Sequence, residues 1–504
     1  MRNLFAATAI AALAFGLCAS AHAQDKPDKA KPDTAASKDD KTDFAPFPAD
    51  AHVEQVTHVA GKTLNYTATV GSLPVRDDKG KKIADVVFTA YTLDGVHDPR
   101  RPVTFAFNGG PGAASVYMNL GAIGPKHVPF GKAGDSPSDA AVLTDNPGTW
   151  LDFTDLVFID PVGTGFSRSL VDEAESKKHF YGTKQDIEYL SRIIYDWLNK
   201  NGRLTSPKYV SGESYGGFRS PRIAHYLQTR MGVGVSGVVM VSPYLDSAAE
   251  FDPGLSPLPW VITMPAMAAA NLERHGELDA AHMAPVIAYA RGDFASDLMK
   301  GRTDPAANQR LTAKVSELTG LDPNFVKVSG GRIETQAFLR EVFRQQGKLG
   351  SRYDSNVTEW DPFPYAPEQR TNDPILDSTI APTTSAMVDF DTRVVGWKVD
   401  APFHTLSYDV GRMWNDGHDE QVESVTDLRE AVALDPKMKV LIAHGWDDLS
   451  CPFMASVLIV DQMPTFGDPN QVQVKEYPGG HMFYARPDSQ RSFRQDVMAM
   501  YGAS

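Results

Sequence analysis

Short, almost wholly apolar strands alternating with amphipathic helical stretches constrain this chain more than any other feature. Residues 103–107, 156–160, 208–211, 237–241, 439–443 and 472–477 each hold a run rich in β-branched or aromatic side chains. A strand apolar on both sides needs a sheet covered on both faces. Between these runs, 186–199 places Ile187, Leu190, Ile193, Ile194, Trp197 and Leu198 on one helical face. Residues 214–230 and 493–501 also read as helices. The alternation predicts an α/β fold with a doubly wound, mostly parallel sheet. Strand-like patterns at 63–70 and 83–93, joined by the charged turn 77–80, precede it. The alternation breaks between about 247 and 406. Helical segments such as 265–277 and 334–346 fill that stretch, followed by a Pro/Asp/Thr-rich run at 361–384. A mostly helical cap inserted between core strands is expected there.

The expected organisation is therefore 1–23 signal peptide, 24–50 linker, 51–246 first part of the core, 247–406 cap and 407–504 second part of the core. Arg2 precedes an apolar run, and Ala21-His22-Ala23 forms a small-residue cleavage site. That run is shorter than the ~20 residues a membrane span needs, and no other segment is long enough. The linker alternates Lys and Asp with scattered prolines and has too few aliphatic residues to offset its ordering entropy. Cys18 and Cys451 are the only cysteines. Cleavage would leave Cys451 alone, so no intramolecular disulfide is expected. An exported chain of this kind suits a bacterial periplasmic or secreted protein, because oxidising compartments otherwise favour bridges. The formal net charge of −14 argues against a nucleic-acid partner, which would call for a basic face. The oligomeric state is left open.

Residues 212–216 read Gly-Glu-Ser-Tyr-Gly, a G-x-S-x-G pattern directly after a predicted strand and opening a predicted helix. In that context the glycines allow a tight turn that lifts the serine hydroxyl out of the sheet. The helix N-terminus offers free N–H groups to a developing oxyanion. A nucleophilic serine needs a base, and the base needs an orienting acid. In α/β-hydrolases these follow in the order Ser, Asp or Glu, His. Strand 439–443 ends in His444-Gly445-Trp446-Asp447-Asp448, and strand 472–477 ends in Pro478-Gly479-Gly480-His481. His481 has the position a base requires, while His444 suits the core. Residue types alone leave Asp447 and Asp448 equally available as the acid. Asn108-Gly109-Gly110-Pro111-Gly112 follows the strand at 103–107 and can present a second amide to an oxyanion. No metal-ligand spacing and no phosphate-binding loop is present, so no cofactor is expected.

Several of these blocks together resemble the serine carboxypeptidase family, peptidase family S10. The family's N-G-G-P-G-C-S-S is similar to residues 108–115, its D-Q-P-V-G-T-G-F-S-Y-S element to residues 160–169, and its G-E-S-Y-G-G to residues 212–217 unchanged. Its late G-x-x-D-x-x-C resembles 445–451, and its G-A-G-H-M resembles 478–482. The blocks run in the family's order. The resemblance implies an α/β-hydrolase fold and a triad of Ser214 as nucleophile, His481 as base and Asp448 as orienting acid. Asp448 is indicated because it lies three residues before Cys451. It further implies an oxyanion hole from the Gly110 and Tyr215 amides. Asn108, Gly109 and Glu213 would bind a peptide's free C-terminal carboxylate, with one proton shared between carboxyl groups. Cys451 would be a thiol near the site. Two departures stand out. Ala113 replaces a family cysteine, and the acid that the family often carries about fourteen positions after its Asn is missing from the stretch Leu120-Gly121-Ala122-Ile123-Gly124. The expected activity is release of C-terminal amino acids from peptides through an acyl-enzyme, with an acyltransferase or esterase on the same scaffold as the alternative.

Overall fold

The central sheet divides the interior into two apolar layers, and the period-two alternation of its strands decides which side chain enters which. The computed structural model describes residues 44–503 apart from 97, 133, 248–255, 368 and 416–422. The first 43 residues, with the expected signal peptide and most of the expected linker, lie outside the described residues. The strands are Ala51–Val59 (β1), Lys62–Arg76 (β2), Lys82–Leu93 (β3), Val103–Phe107 (β4), Asp155–Ile159 (β5), Lys208–Glu213 (β6), Gly237–Val241 (β7), Lys439–Gly445 (β8) and Val472–Tyr477 (β9). They lie side by side in the order β1-β2-β3-β5-β4-β6-β7-β8-β9, and a two-residue strand, Arg168–Ser169, adds to β3. The β1–β2, β2–β3 and β3–β5 pairs are antiparallel. From β5 to β9 every pair is parallel. This mostly parallel, helix-covered sheet is the expected α/β architecture.

Val103, Phe105 and Phe107 of β4 face one layer, together with Val238 and Met240 of β7. That layer is closed by Thr183–Lys200 (α1), Tyr215–Arg230 (α2) and a further helix, Val425–Leu434. The Trp197 ring of α1 meets Phe105 edge-on at 5.5 Å. Ala106, Phe158, Val239 and Val241 face the other layer, which takes Phe493 and Val497 from the C-terminal helix Pro487–Met500. The helix expected over 493–501 thus begins six residues earlier, because a proline at a first helical position has no N–H to lose.

The cap region contributes helices Leu258–Arg274 (α3), Pro305–Thr319 (α4) and Pro374–Asp389 (α5), plus a two-stranded ribbon of Lys348–Gly350 and Thr358–Trp360. Helix α5 begins inside the Pro/Asp/Thr-rich run at 361–384 and continues five residues past it. Asp373 caps it by accepting the Ile375 N–H at 3.0 Å, and Pro374 takes its first turn. A third apolar cluster joins Met264, Met267, Leu311 and Phe338 of the cap region to Trp446, Leu449, Phe453 and Met454, which follow β8. Residues 44–50 carry neither helix nor strand. Phe47 nevertheless sets its ring on Trp397 at 5.2 Å, under the Arg168 guanidinium.

One buried ion pair ties α1 to α2. Arg219 Nε donates to Asp186 Oδ2 at 2.6 Å, and both side chains are 1 % exposed. Removing one member leaves an uncompensated buried charge, which costs about 3–5 kcal/mol. Asp186→Ala is therefore expected to lower the unfolding free energy by that amount in urea denaturation. A loss below about 1 kcal/mol would show that water or another acid replaces Asp186.

Candidate active site

Strand β6 runs to Glu213, two residues beyond the expected end, because Glu213 still pairs with Val241 of β7. Helix α2 starts at Tyr215. Ser214 is left between them at φ 60°, ψ −124°, a conformation rare for a residue with a side chain. Its N–H donates to the Val241 carbonyl at 2.9 Å, and its carbonyl accepts the Gly217 N–H at 2.8 Å. The turn tolerates nothing larger than glycine at 212, where a Cβ would run into the Gly216 carbonyl. The result is a serine lifted off the sheet at a strand-to-helix corner.

The loop after β9 carries His481 toward this corner. Its Nδ1 lies 2.8 Å from Asp448 Oδ2. The second Asp448 oxygen accepts the N–H groups of Ser450 at 2.7 Å and Cys451 at 3.0 Å. Asp448 is fully buried and His481 is 2 % exposed. Burial opposes the imidazolium, but the charge and hydrogen bond of Asp448, aided by the Cys451 sulfur, outweigh it and hold the His481 pKa well above the usual histidine range. His481 is fixed from three sides: its backbone N–H donates to the Tyr353 carbonyl, its backbone carbonyl accepts Ser242 Oγ at 2.8 Å, and the Tyr353 ring meets its imidazole edge-on at 5.1 Å. Ser214, His481 and Cys451 share one cavity of about 440 Å³ with the 108–110 loop.

Asp447 points elsewhere. It sits near Glu273, Asp354 and Arg486. Burial and the neighbouring carboxylates keep it protonated far above the usual carboxylate range, against the pull of Arg486. Geometry thus separates the two acids that residue type could not: Asp448 meets the histidine. His444 bonds Ser456 Oγ at 2.8 Å, and burial lowers its pKa to about 3, so it belongs to the core.

The loop Asn108-Gly109-Gly110 presses on the corner. A Cβ on Gly109 would lie 2.5 Å from the Tyr215 nitrogen, so only glycine allows the approach. The Tyr215 N–H is the first of its helix, where the chain offers no intrahelical acceptor. Asn108 Nδ2 donates to Glu213 Oε2 at 2.5 Å, while its Oδ1 accepts the Met118 N–H at 2.8 Å. Tyr484 donates its hydroxyl to the Glu213 carboxyl at 3.0 Å. Burial, opposed by His481, Tyr484 and Asn108, raises the Glu213 pKa to about 7.

Four supporting residues are absent from the sequence reading. Tyr353 and Ser242 hold His481, Tyr484 holds Glu213, and Arg219 donates to the Asn108 carbonyl at 2.9 Å. Only Tyr484 had a visible signal, lying three residues beyond His481. Two clusters among the described residues have the spacing to hold a cation: His225, Asp427 and Glu430, and Glu273, Asp354 and Asp447. In both, basic side chains already pair with the acids: Arg222 and His225 in the first, Arg486 in the second.

Residues 62–283 match the family model described as serine carboxypeptidase. Serine carboxypeptidase-like 50 of Arabidopsis thaliana is 30% identical over 159 residues, covering 31% of this chain and 33% of that protein. Pheromone-processing carboxypeptidase KEX1 of Yarrowia lipolytica is 29% identical over 153 residues, or 30% of this chain and 23% of that protein. The chain thus spans a third or less of the length of these relatives. A solved prohormone-processing carboxypeptidase, Kex1(delta)p from Saccharomyces cerevisiae, superposes with a TM-score of 0.53 at 15% identity, covering 86% of this chain and 91% of that one. The superposition carries the fold.

The two neighbouring acids give a direct test. Asp448→Asn should lower turnover of an activated ester by about 10⁴, because the histidine loses its orienting charge. Asp447→Asn should leave turnover near that of the unaltered protein. The reverse pattern would reassign the acid.

Proposed function

Because residues 62–283 match the serine carboxypeptidase family model, we propose that the whole chain is a serine-type carboxypeptidase releasing C-terminal amino acids from peptides. Ser214 Oγ attacks the last peptide carbonyl. His481 Nε2 takes the hydroxyl proton while Asp448 holds Nδ1–H, then protonates the leaving amine. Water hydrolyses the acyl-enzyme by the same proton route in reverse. The Gly110 and Tyr215 N–H groups face the oxyanion, and losing one such donor typically costs about 10²–10³ in turnover. The chain is organised with residues 247–406 as a cap over a core of 51–246 and 407–504, and is exported after cleavage of 1–23. Among the described residues no helix is long and apolar enough to cross a membrane.

The observation that carries this reading is Glu213. A buried carboxyl with a pKa near 7 directly precedes the nucleophile, in the same cavity. Protonated, it donates to a carboxylate that lies against it; ionised, it repels one. An ester or an alcohol acceptor gives such a group nothing to bind, which weighs against the esterase and acyltransferase alternative.

The pH dependence follows. As pH rises through about 7, Glu213 loses its proton, and kcat/KM for a blocked dipeptide with a free C-terminus should fall relative to that of its C-terminal amide, the titration of His481 being common to both. The C-terminal amide of the same dipeptide should lack that alkaline fall and be a poorer substrate below pH 7. Glu213→Gln, which cannot ionise, should remove the fall. Equal rates on acid and amide across pH would exclude the carboxypeptidase reading and leave a general hydrolase.

A further inference from the structure

The active-site cavity contains a charge that the triad, the oxyanion donors and the Asn108–Glu213 pair do not use. Arg352, from the cap region, lines the same cavity as Ser214 and His481. Among the described residues lining that cavity it is the one arginine, and no lysine joins it. Arg352 is exposed rather than buried.

The guanidinium is held chiefly by the Tyr353 side chain. It lies 4.9 Å from the centre of the Tyr353 ring, and one Nη donates to the Tyr353 hydroxyl at 2.9 Å. The backbone on either side is anchored: the Arg352 N–H donates to Asp373 Oδ2 at 2.8 Å, and the Arg352 carbonyl accepts the Leu449 N–H at 2.9 Å. Asp373, which accepts the Arg352 backbone N–H, is the carboxylate whose charge reaches the guanidinium, and it hydrogen-bonds the main chain rather than the fork. Other arginines near the site are paired, Arg486 with Glu273 and Asp354, Arg219 with Asp186. The Tyr353 ring that carries Arg352 also touches the His481 ring, so the charge is tied to the catalytic wall of the cavity.

A planar, permanently charged fork with free donors matches one ligand chemistry best, the carboxylate, which it grips through two parallel hydrogen bonds. The geometry points to Arg352 as a specificity-determining residue that binds a carboxylate of the peptide substrate. This rests on the carboxypeptidase reading above. The carboxylate has two sources, an acidic side chain at one of the last two positions or the C-terminus itself. Unlike Glu213, Arg352 keeps its charge across the working pH range, so its contribution does not depend on a proton.

The test compares kcat/KM for blocked dipeptides in matched pairs: Glu against Gln at the last and next-to-last positions, and free acid against C-terminal amide. The proteins are the unaltered chain and R352Q, with R352M as a second neutral variant should R352Q fail to fold, and R352K as the charge-keeping rescue. If the side chain is the source, the Glu-to-Gln ratio falls about 10- to 100-fold in the neutral variants, the range expected for a charge-assisted hydrogen bond, and R352K restores part of it. If the C-terminus is the source, the acid-to-amide ratio falls instead and the Glu-to-Gln ratio holds. Both ratios unchanged in whichever neutral variant folds overturn the proposal while leaving the peptidase intact. Failure of the functional reading looks different: the unaltered chain releases no terminal residue from any peptide, although a fluorophosphonate still labels Ser214.

Discussion

The site depends on one turn, the residue at φ 60° between β6 and α2. Such a backbone costs of order 1–3 kcal/mol and persists only where its surroundings over-determine it. Here the ladder to β7 holds the strand side, through the Glu213–Val241 pairing and the Ser214 N–H. The Arg219–Asp186 pair holds the helix side, and the same guanidinium fixes the Asn108 carbonyl. Three consecutive residues then take three tasks, and Glu213 and Ser214 line one cavity. Glu213 ends the strand as a buried carboxyl, Ser214 stands off the sheet, and Tyr215 presents the first free N–H of the helix. A residue inserted or removed here would change all three together.

A second two-for-one arrangement follows β8. Asp447 and Asp448 are neighbours in sequence but face different surroundings. Asp448 satisfies one oxygen with two backbone N–H groups and the other with His481. Asp447 meets Glu273 of α3 and Asp354 of the cap region, with Arg486 bridging Glu273 and Asp354 from the chain that follows His481. The dipeptide that meets His481 therefore also meets Glu273 and Asp354, from residues 256–406. The apolar cluster joining Met264 and Phe338 to Trp446 and Leu449 reinforces the link. Cys451, the cysteine among the described residues, is buried and forms no disulfide. Apolar packing and the Arg486 bridges do here what a disulfide would do in a bridged chain.

How much of this was legible in the sequence depended on distance along the chain. Strands buried on both faces must be apolar throughout, so β4 and β7 have the bounds their composition implies; β9, at the sheet edge and half-exposed, shows its bounds through its alternation instead. Ser214 and His481 were legible because a strand end and a glycine-bearing turn precede each. The choice of Asp448 over Asp447 needed the family's spacing or the structure, since both are carboxylates at one strand end. Helix α5 was hidden because Pro and Asp read as breakers, although at a first turn and an N-cap they start a helix. Tyr353 was invisible for a different reason. Its contribution to His481 is a backbone carbonyl, which every residue owns, delivered from 128 positions away by the return of the cap region. No periodicity or motif encodes such a contact.

The missing acid after Asn108 gains a physical meaning from these contacts. A second carboxyl beside Glu213 would make the proton a shared property of a pair. In this chain the partners of Glu213 are an amide and a phenol, Asn108 and Tyr484, both donors toward it. Donors favour the ionised form, burial the neutral one, and the balance leaves the pKa at about 7 rather than far above it. A site relying on that proton alone would lose its hold on a carboxylate near neutrality. Arg352 lines the same cavity. Under the proposed role of Arg352, a fixed cation would keep its attraction for a substrate carboxylate at pH values where Glu213 has lost its proton.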